Sequence, residues 1–124
     1  MAATITDDVR SMIKEVRLGF FATASKDGVP NVSPKGSIRV IDEQTLVFAE
    51  IMSSRTRANL RENPSMSVLV YDPAKRKGFQ IKGKAELITS GELWDKVAPP
   101  LIKYGYNPNY VVKITPEEIY PVSD

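Results

Sequence analysis

The run Phe79-Gln80-Ile81-Lys82-Gly83-Lys84-Ala85-Glu86-Leu87 alternates apolar and polar side chains long enough to specify a strand with one buried face. Such a strand needs neighbours on both sides, because an isolated ribbon buries too little to be stable. Gly83 in its middle marks a bulge, or a bend of the kind found at a barrel corner. The remaining apolar runs are shorter: Phe20 to Ser25, Thr45 to Ala49, Ser67 to Tyr71 and Tyr110 to Thr115. Lys26-Asp27-Gly28 is a hairpin turn signal. Val29 to Val32 resumes an extended strand, broken at Pro34 and Gly36, and Ile38 to Ile41 continues it. Proline and glycine inside a strand pattern mark an edge, a bulge or a close backbone approach to a ligand.

Helical signals are few and short. Thr6-Asp7-Asp8 opens one segment, whose Val9, Met12, Ile13 and Val16 recur at helical spacing before Gly19 breaks the period. Ser90 to Val97 reads as a capped helix interrupted by Pro99-Pro100, and Thr115 to Glu118 as a single turn before Ile119-Tyr120. Six strands with short helices predict a mainly β chain, an antiparallel barrel with helical caps. At 124 residues, the whole of 1–124 is expected to be one domain with its own core.

The chain contains no cysteine and no histidine. That removes disulfides, thiol catalysis, imidazole acid–base work, and His- or Cys-ligated metals and haem. No carboxylates stand at calcium-loop spacing, so no metal site is expected. If the protein does chemistry, a cofactor brings the reactive atoms, and no catalytic side chain is assigned. Its 17 basic and 15 acidic residues are interspersed, and the run Lys75-Arg76-Lys77 reads as a solvated loop. Nucleic acid is therefore not an expected partner. No apolar stretch has membrane-spanning length and no signal-peptide core opens the chain, which points to the cytoplasm by default.

One segment suits an anion. Ser53-Ser54-Arg55-Thr56 precedes a two-turn helical pattern stopped by Asn63-Pro64. A serine at such a start caps free backbone N–H groups, and the remaining ones, with the positive end of the helix dipole, form a seat for a phosphate. Arg55 adds a charge-assisted contact and Thr56 a hydroxyl. Arg57 and Arg61, four apart, are read as an exposed helix face.

Taken in order, the FFATAS–KDG–VPNVSPKGSIRV hairpin, TLVFAE, SSRTRANLRENPSMSVLVYD and GFQIKGKAEL resemble the pyridoxamine 5′-phosphate oxidase-like FMN-binding split-barrel flavoproteins. The likeness covers about Val16 to Thr89. It implies a six-stranded antiparallel split β-barrel, a homodimer, and FMN at the subunit interface. It places the FMN phosphate at Ser53, Ser54, Arg55 and Thr56, with Asn59 orienting that loop. It lays the isoalloxazine along the segment containing Ser33, Pro34, Lys35 and Gly36, with Gln80 at the ring edge and Lys35 as the cation that tunes the flavin. Trp94, Tyr104 and Tyr106 offer either a pocket wall or packing surface. Vitamin B6 phosphate oxidation is not the expected reaction, since the family's Arg- and His-containing C-terminal motif is absent here. The resemblance implies instead a small flavin reductase-like or electron-transfer oxidoreductase, fed by a nicotinamide or a redox partner that it does not name. The rivals are an F420-binding reductase of the same fold and a non-catalytic small-barrel module for a ligand or nucleic acid.

Overall fold

In the computed structural model, which describes residues 3–123, one antiparallel sheet takes up most of the chain. Its strands are β1 (Gly19–Ala24), β2 (Pro30–Lys35), β3 (Arg39–Asp42), β4 (Thr45–Glu50), β5 (Ser65–Asp72), β6 (Lys77–Ile88) and β7 (Tyr110–Ser123). Three helices accompany them: α1 (Asp7–Val16), α2 (Ser54–Glu62) and α3 (Glu92–Lys103). The strand order across the sheet is β2-β1-β5-β6-β7-β4-β3. The two outermost strands, β2 and β3, are thus consecutive in the chain, joined only by Gly36, Ser37 and Ile38.

That link dictates the shape. A flat sheet of seven strands would be about 29 Å wide at ~4.8 Å per strand. The four residue steps from Lys35 to Arg39 span at most about 14 Å. The sheet must therefore roll until its two edges nearly meet, and because β2 and β3 are not paired the barrel stays split. The chain is mainly β with short helices, as its residues predict. The strand count is seven rather than six, because the extended stretch read as a single interrupted strand from Val29 to Ile41 is two strands on opposite edges. Pro30 and Pro34 sit in β2, whose outer side has no ladder to lose.

The core fills the roll. Phe21, Phe48, Leu46, Ile81, Ile114, Val68, Val70 and Val112 are fully buried, and Val9, Met12 and Ile13 of α1 close one end. The rings of Phe21 and Phe48 lie 4.3 Å apart between centroids at 44°. Each such side chain contributes about 1.5–3 kcal/mol by leaving water. A second cluster packs α3 on the outside through Val97 and Ala98 against Val47 and Val111, with Trp94 beside them.

Two helical readings are corrected. Pro99 and Pro100 do not stop α3, which runs through them to Lys103. The carbonyls they leave unbonded belong to the exposed Asp95 and Lys96, which water can serve, while the buried Val97 and Ala98 hold the helix down. Ser90 does not cap it; Gly91, at φ 100°, occupies that position. Thr115 to Glu118 is not a helical turn either, because the twelve-residue β6 supplies β7 with partners along that whole stretch. Among the described residues, no helix is long and apolar enough to cross a membrane.

The bend foreseen at Gly83 is present: the β6–β7 register shifts between Lys82 and Gly83, where Pro116 comes opposite. A Cβ on Gly83 would stand 2.3 Å from the Thr115 carbonyl oxygen, whereas one on Gly36 meets nothing nearer than 3.7 Å. Gly83→Ala is therefore expected to lower the unfolding free energy by about 1–3 kcal/mol. Gly36→Ala should stay within about 0.5 kcal/mol. Urea titration of both checks this, and equal costs would remove the bulge from the account.

Candidate functional site

The end of β4, the turn Ile51–Ser53 and the start of α2 face the C-terminal half of β2. Between them run two adjoining hollows. One, of about 410 Å³, lies between residues 31–34 and 52–56. The other, of about 630 Å³, extends along residues 33–37 to Ala49, Ile51, Leu101 and Tyr106. They share Ser33, Pro34, Met52 and Ser53, so they form one trough. Eight of the ten residues singled out from the sequence meet there: Ser33, Pro34, Lys35, Gly36, Ser53, Ser54, Arg55 and Thr56.

The narrow end is built by the start of α2. The first helical bond runs from the Arg57 N–H to the Ser53 carbonyl, at 3.0 Å. The N–H groups of Ser54, Arg55 and Thr56 precede it, and helix geometry gives them no carbonyl within the helix. Ser53 occupies the cap position but its side chain caps nothing. Its hydroxyl is engaged elsewhere: it donates to Glu50 Oε2 at 3.2 Å and accepts from Lys35 Nζ at 2.5 Å. The first turn of α2 is thus left with its positive end toward the trough, and the exposed Arg55 beside it. Thr56 is fully buried, and its hydroxyl accepts from Asn31 Nδ2 at 3.2 Å, which ties α2 to β2.

Beneath the trough lies Glu50, which the sequence reading did not single out. It is fully buried, and four donors converge on its carboxylate. The Ser53 N–H (3.0 Å) and hydroxyl meet Oε2; Arg57 Nη1 (3.3 Å) and Asn109 Nδ2 (3.1 Å) meet Oε1. Asn109 also donates to the Ile51 carbonyl at 3.0 Å, clamping the turn. Arg57 is therefore not an exposed face residue: its side chain is 28% accessible and bridges to Glu50. Only an acid ending the otherwise apolar run TLVFAE, seven positions before an arginine, hinted at this node. Arg61 does lie outside, donating to the Tyr110 hydroxyl at 2.7 Å.

Lys35 is buried at the centre, its Nζ 5.7 Å from the Phe48 ring centroid. Burial pushes its ammonium below the ordinary lysine value, and the charge of Glu50 pulls it part of the way back. Ser37 fixes the β2–β3 link by accepting the Ala49 N–H at 2.9 Å. Two residues stand apart from the trough. Asn59 donates to Thr23 Oγ1 at 3.0 Å, anchoring α2 on β1, and Gln80 donates to Ser67 Oγ at 2.9 Å between β6 and β5. Trp94 packs in the α3 cluster, Tyr106 lines the wide end of the trough, and Tyr104 is exposed.

Known proteins share this chain's family and fold. Residues 5–123 match the family model described as pyridoxamine 5′-phosphate oxidase. An uncharacterized protein of Methanocaldococcus jannaschii is 35% identical over 90% of this chain and 76% of its own. The crystal structure of HupZ from Group A Streptococcus superposes with a TM-score of 0.88 at 27% identity, over 97% of this chain and 95% of that one. An FMN-binding protein of Syntrophomonas wolfei gives a TM-score of 0.80 at 20% identity, over 94% and 84%. HutZ, a haem storage protein of Vibrio cholerae, gives 0.72 at 18%, over 97% and 94%. The last two likenesses, at these identities, establish a shared fold.

Two outcomes follow for the buried node. Glu50→Ala leaves Arg57 and Lys35 without their counter-charge and should cost about 3 kcal/mol of unfolding free energy, the lower end for a broken buried pair because Arg57 can reach water. Arg57→Ala should cost less, since Ser53 and Asn109 still serve the carboxylate; the reverse ranking in urea titrations would contradict the node. Lys35 also sets a pH dependence. Its folded form releases the proton below the ordinary value of 10.5, so between the two values the unfolded chain holds more protons. The stability of the wild type relative to Lys35→Met should therefore rise as pH climbs toward 10.5, and a flat difference would mean that Lys35 is as hydrated as in the unfolded chain.

Proposed function

Because the chain belongs to the pyridoxamine 5′-phosphate oxidase family, we propose that it is an FMN-binding flavoprotein acting as a small flavin reductase-like or electron-transfer oxidoreductase. The observation that carries this reading is the trough itself. One end offers the free N–H groups of an α-helix with Arg55, and the middle offers a buried lysine flanked by Pro34 and Gly36. This is the donor set that a phosphate monoester attached to a flat, apolar ring system requires. The FMN-binding relative from Syntrophomonas wolfei supports the choice of cofactor.

Bound there, FMN would supply the acceptance and release of electrons, which no side chain of a chain without cysteine or histidine offers. The protein's own part is to hold and to bias. Ser54, Arg55 and the α2 N–H groups would anchor the phosphate, and Gly36, without a Cβ, lets backbone approach a ring. Lys35, held by Ser53 against Glu50, presents a positive charge where negative charge would develop on reduction.

The functional unit in this reading is a homodimer with the flavin at the subunit boundary. Val32 (64% accessible), Met52 (92%) and Phe20 (42%) are large apolar side chains on or near the trough rim, which a second copy would cover. Gln80, remote from the trough of its own chain, would reach a ring edge only from that copy. The cytoplasm is the compartment we assign.

Two other cofactors compete for the same trough. Basic groups near a phosphate seat would also serve F420, and the likeness to HutZ raises haem. Haem would have to bind without histidine or cysteine. Absorbance of the purified protein, followed by release and mass analysis of whatever it carries, tests the reading. Yellow protein yielding FMN supports it; protein that refuses FMN but takes up F420 or haemin overturns it. The phosphate seat has its own test. Arg55→Ala should weaken FMN by about ten- to a hundredfold, the worth of a charge-assisted contact, and leave riboflavin nearly untouched. Equal weakening of both would make Arg55 structural.

A further inference from the structure

On the other side of the Gly36–Ser37 link lies a second hollow, of about 490 Å³. It is bounded by the flank of α1 carrying Arg10, Ile13 and Lys14, by Arg17, and by residues 36–40. Four cations ring it: Arg10, Lys14, Arg17 and Arg39, all exposed. Among the described residues, no carboxylate lines it. The ion pairs among the described residues, Arg57–Glu50 and Lys75–Glu15, involve none of the four. Their one side-chain hydrogen bond is from Arg17 Nε to the Lys14 carbonyl, at 3.3 Å.

Solvated surface charge does not account for this arrangement. Across α1, Asp8 and Glu15 line a different hollow, facing Lys75 and Lys77, while Arg10 and Lys14 line this one; Asp7, three positions before Arg10, is the acid on their side of the helix and lines neither. Arg10 and Lys14 are four residues apart, a spacing at which like charges repel. The negative end of the helix dipole explains Lys14 and Arg17 in the last turn, but neither Arg10 in mid-helix nor Arg39 from β3. In a chain whose formal charge is only +2, four cations around one concavity, none in an ion pair among the described residues, form a local excess. Three of them are guanidinium groups, whose planar forks fit phosphate oxygens in pairs. The hollow has small-molecule dimensions and is concave, unlike a flat docking face.

We infer that this hollow binds the phosphorylated part of a nucleotide. Resting on the flavoprotein reading, that nucleotide is the 2′-phosphorylated adenosine half of a nicotinamide donor, whose ring would enter the trough across the shared Gly36–Ser37 link.

Calorimetric titration of the full chain, saturated with FMN, tests this with adenosine 2′,5′-bisphosphate as the probe and adenosine as the control. The bisphosphate should bind saturably, weaken as salt rises, and lose about tenfold or more in affinity in Arg39→Glu, while adenosine stays silent. Arg39 is exposed on a short edge strand, so an unchanged melting curve should accompany the loss. Arg10→Glu, on a different element, should reproduce it. Absence of saturable binding overturns the inference, as does binding that survives both substitutions or is lost in Arg55→Ala instead, which would put the probe in the flavin phosphate seat. Binding lost in Arg39→Glu from a protein that never holds flavin supports the hollow and refutes only the flavoprotein reading. For the donor assignment, Arg39→Glu should raise KM for NADPH about tenfold more than for NADH at unchanged kcat. Equal effects on the two donors would refute that assignment.

Discussion

Three residues connect the outermost strands of a seven-stranded sheet, and the rest of the molecule is arranged around that short link. Because Gly36 to Ile38 cannot span a flat sheet, the sheet rolls and the apolar faces of six pairings turn inward onto one core. The same link brings β2 beside the β4–α2 turn, although they are distant in the strand order. The trough exists where the roll fails to close, and both the trough and the basic hollow are lined by Gly36 and Ser37. An open seam leaves backbone and side chains accessible that a closed barrel would have sealed.

The seam is stiffened by charge rather than by strand pairing. Glu50 enters the interior at the end of a strand whose remaining residues are almost all buried, where an uncompensated carboxylate would be prohibitive. It is compensated by two N–H donors, a hydroxyl and a guanidinium, and through Ser53 by Lys35. The arrangement recruits Ser53 away from capping α2. Two consequences are coupled: the helix start keeps its open N–H groups, and Lys35 is held buried and cationic beside the trough. Open helix N–H groups and a positioned lysine therefore arise from one network.

Chemical poverty and structural provision fit together here. A chain without histidine or cysteine has little to offer as acid, base or nucleophile near neutral pH. What it offers instead is electrostatic shape, and shape of that kind serves a bound group that carries its own reactivity.

Much of this was legible beforehand. The alternation of 79–87, the glycine in its middle and the punctuated short runs determined a mainly antiparallel β chain with a bend at Gly83, since side-chain period and turn residues act locally. The Ser-Ser-Arg-Thr start of α2 announced its own chemistry, because a helix end exposes its N–H groups wherever it lies. Non-local matters were decided by the tertiary structure. Whether Val29 to Ile41 is one strand or two depends on which edges it meets, and no periodicity records that. Pro99 and Pro100 read as helix breakers until burial of Val97 and Ala98 outweighed them. Arg57 read as surface because its partner, Glu50, comes from another element, and Asn109 joins them from a region 59 residues further on. The sequence by itself thus determined most of the strands, the turns and a helix start with open N–H groups, whose causes lie within a few residues. The tertiary structure alone decided which charges are buried together, because burial and pairing are properties of the space between elements.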